Sequence, residues 1–182
     1  MNGEAPRLVD VCVPFETIQE LNFRRALESD AEAIADAHRD SILGPGSEHY
    51  ATDIVREWAG SVSPGLYLDA MDRGEVFFIA TGKVGSERTI LGFSSDYVIS
   101  GSTHGTSAYV RPAAARRDIG SRLLGLAESF GRSRGATEIH IEASLGAVDF
   151  YRHHGFVEQT RGFITLQSGV QMACVFMRKQ LR

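Results

Sequence analysis

The stretch V-R-P-A-A-A-R-R-D-I-G-S-R-L-L, Val110 to Leu124, decides how this chain is read. Val110 closes an apolar run and Pro112 stops it, after which Leu123, Leu124, Ala127 and Phe130 recur at helical spacing until Gly135. The pattern predicts a strand end, a tight turn and a helix whose N-terminus falls near residues 116–121. The opening turn of a helix leaves backbone N–H groups without partners, and the macrodipole adds positive charge there, so such a turn suits a phosphate or pyrophosphate. Four arginines, Arg111, Arg116, Arg117 and Arg122, crowd it in a chain of net charge -4. We read this cationic cluster as an anion site, with a solvated arginine face as the alternative.

A second segment, S-L-G-A-V-D-F-Y-R-H-H-G-F from Ser144 to Phe156, follows about 30 residues later, with a helix and a strand between. Together the two segments resemble the signature motifs of the GNAT superfamily, the acyl-CoA-dependent N-acetyltransferases. Val110, Pro112, Ile119, Gly120, Leu123 and Leu124 fit the first motif, and Ala147, Phe150, Tyr151, Gly155 and Phe156 fit the second. Three positions depart: Ala115 stands where the family usually has Gln or Arg, Asp118 where it has a Gly, and Ser144 where it often has Asn. A carboxylate at 118 is electrostatically awkward beside phosphates and competes for the same N–H groups.

The rest of the chain reads in the same direction. Leu21 to Ala26 predicts a first strand, and Ser29-Asp30-Ala31-Glu32 has the spacing of a capping box opening a helix that carries Ile34, Ala35, His38 and Ile42. A second helix falls at Thr52 to Ala59, strands at Glu75 to Thr81, Thr89 to Val98 and Thr106 to Val110, a fifth strand at Glu138 to Ala143, a helix from Ser144 to His154, and a final pair at Arg161 to Thr165 and Val170 to Met177. The order β-α-α-β-β-β-α-β-α-β-β gives an α/β (α+β) fold, a mixed sheet of about seven strands with helices on both faces. The resemblance implies that same order in a mostly antiparallel sheet. Residues 1–20 show no clean period and read as an N-terminal extension to a single domain, 21–182.

Composition bounds the function. A chain of 182 residues, 43% hydrophobic, suits one packed domain. No apolar run approaches the ~20 residues a membrane helix needs, and Glu4, Asp10 and Pro14 interrupt the first twenty, so a cytoplasmic protein is expected. Cys12 and Cys174 make no disulfide framework or zinc spacing, and Cys174 in the apolar M-A-C-V-F-M reads as a buried thiol. A pI of about 5.9 argues against nucleic-acid binding. No metal is expected. The extension and an exposed final hairpin are compatible with a homodimer.

Acetyl transfer from a thioester to an amine needs a neutral amine, a polarised carbonyl and a proton for the leaving thiolate. The resemblance implies acetyl-CoA as donor and direct transfer to a primary amine, most plausibly of a small molecule, without an acyl-enzyme. It implies that the fourth and fifth strands splay to admit pantetheine, assigning Ala108, Tyr109 and Val110 to pantetheine and acetyl contacts. Arg116, Arg117, Asp118, Ile119, Gly120 and Ser121 fall to the pyrophosphate, with Ser144 at the motif position of the second segment. Tyr151 occupies the family position of the general acid, since a phenol of pKa about 10 can protonate a thiolate; core packing is the alternative. For the base, His104 has a suitable pKa near the start of the fourth strand, where relatives often carry Glu, and Asp96 and Glu142 are further candidates. His49, Tyr50 and Trp58, with Asp96 and Glu142, are the substrate-pocket candidates. Aminoglycosides, polyamines, amino acids and protein amines all remain open as acceptors. A second class of function, a GNAT-like module that holds acyl-CoA without turnover, is motivated by Ala115 and Asp118.

Overall fold

The structure is a computed structural model that describes residues 18–181. Seven strands form one sheet in the order β1-β2-β3-β4-β5-β7-β6. They are β1 (Ile18–Arg25), β2 (Val76–Val84), β3 (Glu87–Ser100), β4 (Thr103–Val110), β5 (Glu138–Ser144), β6 (Val157–Thr165) and β7 (Gln171–Gln180). All neighbours run antiparallel except β4 and β5. Of the expected N-terminal extension, residues 1–17, Cys12 among them, lie outside the described residues, while Ile18 to Glu20 belong to β1. Among the described residues no helix is long and apolar enough to cross a membrane.

Five α-helices cover the sheet: α1 (Ala31–Leu43), α2 (Thr52–Gly60), α3 (Pro64–Asp72), α4 (Ile119–Ser133) and α5 (Val148–His153). The third is one more than the sequence pattern predicts. Its Pro64-Gly65 start resembles a loop, yet Pro is well placed at the first helical position, where its missing N–H has no partner to lose, and Tyr67 and Ala70 are buried. The start of α1 also differs from expectation. A 3-10 turn at Glu28–Asp30 precedes it, and Asp30, not Ser29, supplies the cap, accepting the Leu27 N–H at 2.7 Å and both Arg24 terminal nitrogens at 2.7 and 2.8 Å. The Arg24 bond holds the Asp30 carboxyl below its ordinary value.

Strand alternation divides the core between the two faces. In β2, Phe77 and Ile79 pack with Phe93 against α1, α2 and α3, while Phe78 and Ala80 pack with Leu91 against Ile119 and Leu123 of α4. A bulge sets the register in between: Ala80 pairs Gly92 but Thr81 pairs Ile90, so Leu91 is extra. Farther along, α4 and α5 share a cluster of Leu124, Ile139, Ile141, Tyr151, Phe156 and Met177.

His38 of α1 is buried in the first cluster, its ring 3.9 Å from that of Tyr109 and its Nδ1 2.7 Å from the Tyr67 hydroxyl, with no hydrogen-bond partner for Nε2. Burial pulls its pKa down from 6.5 to about 3, so the folded protein keeps it neutral. The unfolded chain therefore binds the extra proton between those two values, and stability, fully present above pH 6.5, falls as pH drops through that window. Urea titrations should show a loss of about 1 kcal/mol between pH 6.5 and 5.5, approaching about 1.4 kcal/mol per pH unit below that, and His38→Gln should flatten that slope. An unchanged slope in the variant would mean that this imidazole does not set the acid limit.

Candidate active site

β4 and β5 pair only at Thr103 with Glu138, His104 with Ile139 and Gly105 with His140. Beyond Gly105 the strands part. The Arg111 N–H donates to Leu91 O at 2.8 Å, on the β3 side, whereas the Ala108 N–H donates to the Tyr151 hydroxyl at 3.1 Å, on the open side. Alternation along a ladder then points the Ala108 and Val110 N–H groups into the gap and turns the Tyr109 N–H toward β3, while the pairing of Gly105 with His140 takes up the Thr106 N–H. A cavity of about 280 Å³ fills the splay, lined by Ala108, Tyr109 and Val110 on one side and Ile141 to Ser144 on the other, with Tyr151 at its base.

Tyr151 is buried, its ring edge-on to Phe156 at 5.5 Å. Burial raises its pKa far above the ordinary phenol value, followed by the Tyr109 phenol, while the bond from Ala108 N–H acts in the opposite sense. Its oxygen accepts that bond and its proton stays in place, free to be donated.

The turn expected to hold an anion is built from two left-handed residues, Arg116 at φ 58° and Asp118 at φ 60°, before α4 starts at Ile119. That conformation explains why a glycine suits position 118; Asp is among the side chains that tolerate it best. Its carboxylate makes no capping bond to the helix N–H groups, so the competition anticipated from the sequence does not occur. The arginine cluster is smaller than it reads. Arg111 donates from Nε to Ile90 O at 2.7 Å and pairs with Asp40, and Arg122 stacks over the Phe23 ring at 3.9 Å. Arg116 and Arg117 belong to the turn itself, with Gly120 and Ser121 half-buried after them.

The candidates for base and acceptor contacts separate by strand parity. His104 lies six residues before Val110, an even step, so its side chain shares Val110's face, under α4. It is 1% exposed, its Nδ1 donating to Asp96 at 3.0 Å, and a Cβ on Gly131 of α4 would meet that carboxylate at 2.7 Å. Neither His104 nor Asp96 lines the cavity, and β4 begins at Thr103 rather than Thr106, so that it includes His104. Burial pushes the Asp96 carboxyl up despite the bond from His104. Glu142 does line the cavity, as does Trp58, which is also core. Tyr50 spends both hydroxyl functions on the framework, accepting the Leu145 N–H at 2.8 Å and donating to Ala173 O at 2.7 Å. His49 packs on Gly146, where a Cβ would come within 2.6 Å of its ring. Cys174 is buried, which raises its thiol pKa.

The odd-numbered face of β2, β3 and β4 brings in residues the sequence reading did not single out. Ser95 and Ser107 share a 2.9 Å hydroxyl bond, Glu75 lies just before Val76, which pairs with Asp96, and Tyr97 lies over Gly105, whose Cβ would fall 2.1 Å from its ring. Of these, Glu75, Ser95, Tyr97 and Ser107 line the cavity. Among the described residues no lysine, arginine or histidine does, and the only carboxylates that do are Glu75 and Glu142. Period-two alternation carries this signal, but only once the register of three strands is fixed.

Comparison with known proteins agrees with this geometry. A family model described as an acetyltransferase (GNAT) domain matches residues 73–158, from the end of α3 through β4, the turn and α5 to the start of β6. A GCN5-related N-acetyltransferase from Rhodopseudomonas palustris superposes with a TM-score of 0.75 at 24% identity, over 91% of this chain and 98% of that one. PaiA N-acetyltransferase from Thermoplasma acidophilum, solved with coenzyme A, gives 0.70 at 20% over 90% and 100%. A phosphinothricin acetyltransferase from Sinorhizobium meliloti, solved with acetyl-CoA, gives 0.66 at 18% over 88% of each chain. No curated protein sequence matches the chain. The structural likenesses establish the fold, and the family model, described as an acetyltransferase (GNAT) domain, matches the segment that builds the splay and the turn.

Proposed function

We propose that the chain is an acetyl-CoA-dependent N-acetyltransferase, residues 21–182 acting as one domain, that acetylates a primary amine of a small cationic molecule by direct transfer in a ternary complex. The observation that carries this reading is the open edge of β4, with the Ala108 N–H and the Tyr151 hydroxyl 3.1 Å apart at its centre. Pantetheine laid along that edge finds the Val110 N–H group beside that of Ala108, and the turn at residues 116–121 lies at the end of the strand to take the pyrophosphate. The thioester carbonyl draws on these strand donors, Tyr151 protonates the departing sulfur, and the amine enters from the face of Trp58, Tyr97 and Tyr109. A cavity with two carboxylates and three aromatic walls but no cation favours an ammonium over an anionic acceptor. Relatives solved with coenzyme A and acetyl-CoA support the donor.

Calorimetric titration with acetyl-CoA and CoA, followed by thiol release with tyramine, 1,4-diaminobutane, lysine methyl ester and glutamate as acceptors, tests the reading. Micromolar donor binding and release with the cationic amines, at least about tenfold faster than with glutamate, is the expected result. Donor binding without amine-dependent release would leave a coenzyme-holding module, and no binding at millimolar donor would remove the transferase reading altogether.

A further inference from the structure

We propose that Glu75 is the general base of this site, receiving the proton of the acceptor ammonium from the cavity and releasing it to water in a separate hollow behind it. This inference rests on the acetyltransfer reading above.

Glu75 is held by a hydrogen-bonded helix stop. At the C-terminus of α3, Gly74 at φ 92° donates its N–H to Met71 O at 2.9 Å, and the Glu75 N–H donates to Ala70 O at 3.0 Å. These are the two bonds of a Schellman motif, and they fix the backbone of Glu75 immediately before β2 begins. Val76 pairs Asp96, so Glu75 stands opposite Tyr97 on the odd face, diagonal to Ser95. The side chain is partly buried and lines three hollows. One is the acceptor cavity; a second, of about 420 Å³, lies toward Arg25, Leu27 and Met71; the third adjoins His38 and Tyr67. Leu27, at 62% exposure, marks where the second hollow meets solvent. Among the described residues no other carboxylate lines both the acceptor cavity and an outer hollow.

Such a position suits a proton carrier. Burial raises the Glu75 pKa toward the range where a carboxylate accepts a proton readily, against the Ser95 hydroxyl and the charge of Arg73, and Asp96 across the sheet pushes the same way as burial. The other charged or titratable groups facing it are Arg25 and Glu28 from the end of β1, Tyr67 and His38 from the helices, and Tyr97, Tyr109 and Glu142 from the sheet. Of these, only Glu142 is a second carboxylate in the acceptor cavity; it is exposed, and the aromatic rings of Tyr97 and Tyr109 stay protonated.

The protons balance as follows. The ammonium brings three: Glu75 takes the first, freeing the nitrogen lone pair to form the C–N bond at the thioester carbon. As the C–S bond breaks, Tyr151 gives its proton to the sulfur and is reprotonated by the second, released from the nitrogen of the tetrahedral adduct. The third stays on the amide, and the proton on Glu75 leaves to solvent.

The test compares the unmodified protein with Glu75→Gln and Glu75→Asp, using whichever of the cationic amines named above reacts fastest. In the unmodified protein kcat/KM rises with pH along an acid limb above the ordinary carboxylate range. Glu75→Gln should lower kcat/KM at neutral pH by about 10- to 50-fold, erase that limb so that the rate climbs with free amine toward pH 9, and leave the CoA dissociation constant and Tm unchanged. Glu75→Asp should retain a limb at reduced rate. An acid limb that survives intact in Glu75→Gln overturns the assignment while leaving acetyl transfer standing; an unmodified protein that binds CoA but releases no thiol with any amine at any pH overturns both.

Discussion

Replacing Tyr151 with Phe should lower the rate of acetyl transfer by about 10²- to 10³-fold while coenzyme affinity stays within about threefold. The ring stays where it is, because its packing on Phe150 at 5.1 Å and Phe156 at 5.5 Å does not involve the hydroxyl. What disappears is the only side-chain O–H placed at the Ala108 N–H, on the open edge of β4. A thiolate of pKa about 8.5 leaving without a proton donor in a buried slot carries an uncompensated charge, and the loss of one well-placed donor to such a charge costs about 3–4 kcal/mol in the transition state. The raised pKa of Tyr151 slows proton donation but ensures that the proton is present at every pH at which the enzyme folds. The Ala108 N–H bond moderates that rise by stabilising the phenolate. Stability should fall by only about 1–2 kcal/mol, for a backbone donor left facing the slot without its acceptor. Pre-steady-state thiol release separates the roles: a rate lost with Kd and Tm nearly intact identifies an acid, whereas a lost Tm and Kd with the rate retained would make Tyr151 a core residue.

The elements that the sequence revealed are those whose signals are local. Pro112, the leucine spacing and Gly135 bracket α4 without help from the rest of the chain, and the splay followed from the resemblance those residues carry. α3 was hidden because nine residues opening with Pro-Gly present too short a period, and its stability comes from Tyr67 and Ala70 packed under α1 rather than from its own propensity. The structure leaves Ala108, Tyr109 and Val110 on the cavity and takes His104 and Asp96 away from it for one reason. Which face a strand residue occupies depends on parity relative to residues already placed, and a single step exchanges faces. His104 counts evenly from Val110 and goes under α4; Ser107 and Tyr109 count oddly and line the cavity. Glu75 was invisible for a related reason, since its importance arises from the register of β2 on β3 and the hollows on both sides of it. Tyr50 has the right place but the wrong task, because both its hydrogen bonds hold the Leu145 turn to β7.

Gly120→Val should weaken CoA binding by about 100-fold or more and leave the fold intact. Gly120 is the second residue of α4, lodged where the end of β4 and α5 converge on the turn. A Cβ there would already approach the Phe150 ring at 3.3 Å and Val110 Cγ2 at 3.5 Å, distances that a shift of a few tenths of an ångström absorbs. Gly120→Ala should therefore bind CoA within about fivefold and gain up to about 1 kcal/mol of helix propensity. Valine adds two methyl groups with one strongly preferred rotamer, so either Phe150 or the first turn of α4 must move away. That turn carries the N–H groups aimed at an anion, and the left-handed Arg116 and Asp118 leave it little freedom to adjust. The consequence should be selective. S-acetylpantetheine lacks the pyrophosphate and depends on the strand edge alone, so its affinity should change by no more than about threefold in Gly120→Val while CoA affinity collapses. Equal loss of both ligands would place the damage at Val110 and the slot, and would mean that the helix N-terminus contributes little to holding the donor.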